Sequence, residues 1–304
     1  MSDLRGYVMI AGAAFFWGIS ATAAKFLLNQ NVDTLLIVQT RVSISAIFMG
    51  GFFLLARPGV LRVPATTLGP CALLGVLGVA GANYTYYSVI KETSVATGIL
   101  IQYTAPLLVL GYTVVASEER FSAVKLVAAL MSVGGCFLAV GAYDRSLLML
   151  NPRSAALGLA SVVCFAFLTV YSRRLVTRYG LGTTTFYALA SASLFWLVIQ
   201  PPWVLAAQTV PAATWGGLAI LAVTSVLLPH TLFMGGLRHV VPSRAIITST
   251  LEPIVAIGSA AFVLGEYLRS VQVAGAALVL LAVVLLNLRP ERSGVSKRSP
   301  TEAA

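Results

Sequence analysis

The sequence predicts an all-α membrane protein of ten transmembrane helices, arranged as two inverted-topology five-helix repeats. Three observations predict it. Apolar residues make up 58% of the 304 and charged ones 10%, with mean hydropathy +0.90, values that a soluble domain could not carry without aggregating. The chain also repeats itself at a fixed distance of 147 residues: Pro106 pairs with Pro253, Gly111 with Gly258 and Glu119 with Glu266, and Lys91 and Arg238 match just before them. An offset held without a gap across two apolar stretches marks a duplication. Finally, each copy reads as five hydrophobic spans, and an odd number of crossings makes the second copy enter the membrane from the opposite side.

The spans follow in order. Tyr7–Leu28 is a long apolar run around Trp17, read as a retained helix and not as a cleaved signal. Thr34–Ala56 carries a single charge, Arg41, and Thr67–Ser88 ends in the aromatic-rich Asn83–Tyr87. Val95–Ala116 has Pro106 at its middle, and Ser122–Ala142 is glycine-rich with Gly134 and Gly135. The second copy repeats the series as Ala155–Leu175, Thr184–Ala206, Thr214–Leu237, Ala245–Leu264 and Ser270–Leu288, with Pro253 in the ninth span and Gly275 in the tenth. Each is near the ~20 residues needed to cross ~30 Å of hydrocarbon. The expected units are residues 1–145, residues 146–290 and a polar, disordered cytoplasmic tail over 291–304.

Orientation follows from lysine and arginine. With the N-terminus inside, fourteen of the twenty fall on the cytoplasmic face, five on the other, and Arg41 lies within a span. That bias places both termini in the cytoplasm. The net charge of +10 is therefore mostly an address label. Basic residues scattered over short loops do not form the stripe that a nucleic-acid partner requires. Membrane lipids are the expected surroundings. Cys71, Cys136 and Cys164 lie within apolar spans without metal-ligand spacing and read as packing residues. There is no GxxxxGK[ST], HExxH or GxSxG, so neither an enzyme nor an ATP-driven pump is expected, and no cofactor is implied.

What remains is a carrier, whose informative residues are the polar ones that hydrocarbon should reject. Glu252 sits in mid-span, where a charge costs ~2.5–3.5 kcal/mol on insertion scales. Helical spacing puts Thr248, Glu252 and Ser259 on one stripe. A carboxyl lining a watery path is a candidate proton-binding group, which makes protons a candidate coupling ion; a packing hydrogen bond is the other reading. Asn83 matches His230 at the repeat offset, and Asn83, Tyr84 and Tyr87 share a helical face. An amide or imidazole beside ring surfaces suits an amino acid's charged groups and side chain. Tyr86 fits an aromatic girdle at the membrane interface better. Trp17 has an aromatic counterpart in Phe165, and both suit a wall of a central site or simple core packing. Gln102 and Tyr103, one turn before Pro106, are expected to donate or accept hydrogen bonds from substrate. Pro106 and Pro253 kink their helices and free a carbonyl in the preceding turn, which suits hinges. Glu119 and Glu266 read as helix caps or salt-bridge partners. Arg41 reads either as snorkelling to the headgroups or as meeting a substrate carboxylate. The fifth and tenth helices read as packing helices away from the pathway.

Four segments carry a family resemblance: FFWGISATAAK in the first span, the arginine opening the second, PLLVLGYTVVASEE in the fourth and LEPIVAIGSAAFVLGE in the ninth. They resemble EamA-type members of the drug/metabolite transporter superfamily over about residues 7–289. The resemblance implies ten helices in two inverted repeats, with a pathway lined chiefly by the first, third, fourth, sixth, eighth and ninth. It also implies export of metabolites, often amino acids, across the bacterial inner membrane. On length and the aromatic third helix the chain is similar to the aromatic amino-acid exporter subgroup. Trp17, Pro106, Glu119, Glu252, Pro253 and Glu266 fall on family motif positions. The second copy departs from the pattern: Cys164-Phe165-Ala166 stands where the first has Phe16-Trp17-Gly18, and no arginine matches Arg41. The expected function is amino-acid export by alternating access, with tolerance for aromatic and other apolar side chains. Export of other metabolites or drugs, and a channel or membrane assembly role, are the alternatives.

Overall fold

The computed structural model describes residues 2–29, 32–143, 150–206, 211–264 and 268–288. Among them there are helices and no strand. We number the main helices α1 (Ser2–Asn29), α2 (Thr34–Ala56), α3 (Ala65–Glu92), α4 (Val95–Val115), α5 (Ala123–Ala139), α6 (Pro152–Tyr179), α7 (Leu181–Ile199) and α8 (Thr214–Gly236). α9 runs as Pro242–Ser249 and continues as Leu251–Leu264, and α10 is Ser270–Leu288. Seven helices among the described residues are long and apolar enough to cross a membrane, α1 to α4 and α6 to α8. α5 and α10 are shorter apolar helices, and α9 is divided in two. Large apolar side chains such as Ile47, Leu55, Val115, Val198 and Phe262 stand exposed on the outside, as hydrocarbon surroundings permit and water does not. The expected tail over 291–304 and Glu266 lie outside the described residues.

Contacts between the two halves come in exchanged pairs. α1 packs on α8 and α9, and α6 packs on α3 and α4; α2 meets α8, and α7 meets α3. α2 also packs on α7, and α5 on α10, each helix against its own counterpart. The α5–α10 seam is a close one. A Cβ on Gly275 would fall 2.7 Å from the Gly135 carbonyl oxygen, and one on Gly135 would fall 2.8 Å from that of Gly275, so any side chain there would separate the helices. Neither helix reaches the cavity described below.

Two local departures from regular helix matter for function. α3 contains a π-helical stretch, Leu74–Gly81, and α8 contains another, Val223–Leu227. At the 147-residue offset the second falls within the first. α4 and α9 are interrupted at corresponding places: α4 stops at Gln102 and resumes at Ala105, and α9 stops at Ser249 and resumes at Leu251. Where the sequence predicts a kink, the chain makes a tight turn just before each proline, with Thr104 N–H donating to the Ile101 carbonyl and Thr250 N–H to that of Ile247. Pro106 and Pro253 thus open the second segments, where a missing N–H costs little.

At the end of the bundle where the chain begins, Glu119 is buried and accepts from Lys125 Nζ at 2.7 Å, from the Ser243 N–H at 3.1 Å and from the Ser243 hydroxyl. It caps the first turn of α9 while neutralising a buried lysine. Glu118 pairs with Arg174, and Arg244 donates to Tyr7 Oη at 3.1 Å. The Glu119–Ser243, Glu118–Arg174 and Arg244–Tyr7 contacts each tie one half to the other.

Candidate functional site

The π stretches end at Gly81 and Leu227, two and three residues before the matched Asn83 and His230. Asn83 Nδ2 donates to the Val79 carbonyl at 2.8 Å, and His230 Nδ1 lies 3.0 Å from the Val226 carbonyl. Val79 and Val226 are themselves one repeat apart. Each polar side chain is thus held by a backbone oxygen of its own π turn, a helix irregularity often found at functional sites.

Around them lies a cavity of about 50 Å³ where the halves meet, lined by Trp17, Asn83, Tyr87, Gln102, Phe165, His230 and Glu252 among others. Trp17 is the centre of its apolar wall. Its ring centroid is 6.1 Å from that of Phe165, 5.7 Å from His230 and 5.3 Å from Phe233. The Trp17 helix comes this near α9 because Gly18 lies against it: a Cβ there would fall 2.8 Å from the Glu252 carbonyl oxygen.

Glu252, 7% exposed, lines the same cavity. Its carboxylate accepts from Tyr103 Oη at 2.6 Å, and Tyr86 Oη lies at 3.5 Å. Tyr103 sits in the α4 interruption, so the turn that breaks the helix also delivers the hydroxyl that holds the carboxylate. Gln102, beside it, lines the cavity with a buried Oε1 that has no partner. Such an oxygen needs a donor, and an ammonium supplies one.

Arg41 does not snorkel. It is fully buried, and its guanidinium donates to Tyr87 Oη and Ser225 Oγ at 2.7 Å each and to Asn83 Oδ1 at 3.0 Å. Its charge also lies 4.2 Å from the Tyr87 ring centroid. Among the described residues no carboxylate lies within ion-pair distance of it, and its Nε has no partner. Tyr87, Asn83 and Ser225 all line the cavity, so Arg41 holds three wall residues on two helices from behind.

The structure therefore brings together Trp17, Asn83, Tyr87, Gln102, Phe165, His230 and Glu252, with Tyr103 as the support of Glu252. Thr248 lies elsewhere, donating to the Arg244 carbonyl at 2.8 Å; the interruption at Thr250 breaks the stripe that would align it with Glu252. Tyr84 packs on Trp196, with centroids 5.4 Å apart, and faces a second cavity. Tyr86 turns from the interface toward Glu252. At about 50 Å³ the central space holds a few waters, whereas small-molecule sites run to several hundred. The walls must part before a substrate enters.

The family model described as "EamA-like transporter family" matches residues 4–141 and 153–288. Among curated proteins the chain is 22% identical over 298 residues to "Uncharacterized inner membrane transporter YicL" of Salmonella typhimurium, covering 96% of this chain and 98% of that one. It is 28% identical over 255 residues to "Threonine/homoserine exporter RhtA" of the same species, covering 82% and 78%. A solved crystal structure superposes with TM-score 0.75 at 20% identity, covering 93% of this chain and 96% of that one, so the fold is shared.

Proposed function

The chain belongs to the EamA-like transporter family and is a multi-pass membrane transporter, not an enzyme, and from that premise we propose that it exports amino acids across the bacterial inner membrane by alternating access. One observation carries this reading: a single cavity gathers the rings of Trp17, Phe165 and His230 with the Glu252 carboxylate and the unpartnered Gln102 oxygen. Rings receive an aromatic or apolar side chain, and the two oxygens receive an α-ammonium. The likeness to a threonine/homoserine exporter supports the same substrate class. In this reading the two halves are inverted repeats with ten crossings, supported by the exchanged contact pairs and the odd span count. Purified protein in liposomes, loaded with unlabelled amino acid, should accumulate labelled phenylalanine or threonine by saturable counterflow. No saturable counterflow by any member of an amino-acid panel would remove the reading in favour of another substrate class or a channel.

Both termini belong in the cytoplasm on the fourteen-to-five lysine and arginine count. A C-terminal tag should accordingly be protected from protease in intact cells, and cleavage there would reverse the orientation.

The interrupted helices α4 and α9 are the hinges. Pro106→Ala or Pro253→Ala restores a backbone donor next to the interruption and biases the carrier toward one conformation, for which a few kcal/mol suffices. Turnover should fall by roughly tenfold or more, with substrate affinity changed much less. Wild-type turnover in both variants would make the interruptions static.

A further inference from the structure

A second cavity, about 460 Å³ in volume, opens at the end of the bundle away from the N-terminus. It lies between the start of α2 (Asp33, Thr34), the end of α3 (Tyr84, Ser88, Lys91, Glu92) and Arg153 at the start of α6, so both halves of the chain contribute. Of the two cavities, this one alone reaches the 300–1,000 Å³ typical of small-molecule sites.

Its chemistry is two charges of each sign around an aromatic ring. Lys91 Nζ lies 3.6 Å from Asp33 Oδ1, both side chains being half-exposed. Arg153 Nε lies 3.1 Å from Glu92 Oε1, and Glu92 also accepts from Ser154 Oγ at 2.5 Å. The half-exposed Lys91–Asp33 pair, and an Arg153–Glu92 pair whose arginine is largely exposed, contribute little to stability, so they open at small cost. A zwitterion replaces what it breaks: its carboxylate takes the place of Asp33 on Lys91, and its ammonium the place of Lys91 on Asp33. A simple amine or a simple acid satisfies only one partner and leaves the other bare. Thr34, 5% exposed, adds a wall hydroxyl with no partner.

Placement along α3 connects the two cavities. Asn83 and Tyr87 face the central one, while Tyr84, Ser88 and Lys91 face the outer one. Tyr84 to Lys91 covers about 10 Å of helix rise, so the outer cavity runs along α3 from the level of the Asn83–Tyr87 wall to the end of the helix.

We propose that the outer cavity is a second amino-acid site, a vestibule in which Lys91 and Arg153 take the α-carboxylate, Asp33 and Glu92 take the α-ammonium, and the Tyr84 ring borders the side chain. The proposal rests on the amino-acid reading above and adds a site to it. Equilibrium dialysis of purified protein with labelled L-phenylalanine, and separately L-threonine, tests it. The wild type should bind two molecules per chain. The double variant Asp33→Asn/Lys91→Gln should bind one, the lost component weakening by roughly tenfold or more, as expected for a lost charged hydrogen bond. The molecule still bound, at the central site, shows that the variant is folded. The charge exchange Asp33→Lys/Lys91→Asp keeps both signs and should restore the second site, and phenethylamine, which has no carboxylate, should compete only at the central one. A single site in the wild type, or two undiminished sites in the double variant, overturns the vestibule while leaving amino-acid export standing. Absence of binding by either amino acid, together with absence of counterflow across the panel, removes both.

Discussion

Arg41→Met should reduce amino-acid counterflow by on the order of a hundredfold or more while leaving the protein as thermally stable as the wild type. The two effects separate because they have different origins. A buried guanidinium is costly in an apolar span, and an apolar side chain of similar volume is often neutral or stabilising in such a place. Function is another matter. Three charge-assisted hydrogen bonds, each worth about 1.5–3 kcal/mol, fix Tyr87, Asn83 and Ser225 in the cavity wall. Ser225 belongs to the second half of the chain, so the same residue sets the spacing of the halves. Arg41→Lys should recover only part of the activity, since an ammonium keeps the charge but loses the planar fork. Counterflow rates and melting in detergent, measured side by side, check this. Wild-type counterflow in Arg41→Met would leave the arginine without a part in transport.

The second large effect concerns Glu252. Its hydroxyl partners, Tyr103 at 2.6 Å and Tyr86 at 3.5 Å, come from the first half of the chain, and His230 lines the same cavity. If this carboxyl exchanges a proton as the cavity faces each side in turn, wild-type export should accelerate in an imposed pH gradient. Glu252→Gln keeps size and hydrogen-bonding capacity without titration. The variant should retain downhill exchange and lose the acceleration entirely. A wild type indifferent to the gradient would make the protein a facilitator, with Glu252 the acceptor that secures Tyr103 at the hinge.

Much of the fold was legible because hydrocarbon leaves few options: length, polarity and a gapless repeat point to the helices and their pairing. Most of the cavity residues were legible for the same reason, as polar or aromatic groups at matched depths. Arg41 was not. The polar residues of α2, Gln39, Thr40, Arg41, Ser43 and Ser45, fall on several sides of the helix, so periodicity marks no interior face, and one arginine near its end is compatible with snorkelling until Tyr87 and Ser225 are seen to receive it. Thr248 and Tyr86 were misplaced for geometric reasons. The α9 interruption breaks the stripe through Thr248, and a π turn rotates everything after it by up to about 100° per extra residue, which turns the Tyr86 side of α3 toward α9. Periodicity counts residues and does not register a change of winding, least of all one that occurs in both copies and leaves the offset intact.

That shared winding fixes an order of events. A π turn holds one residue more than the α-helical turn it replaces, and two independent insertions at the same repeat position are improbable beside one inherited twice. The widened turn therefore belonged to the half-length ancestor, before its gene was doubled. Asparagine and histidine diverged afterwards at a matched position just beyond it, in Asn83 and His230, each keeping the valine carbonyl four residues back. The backbone irregularity is the older component of the site, and the side chains now presented to the cavity are later variations on it.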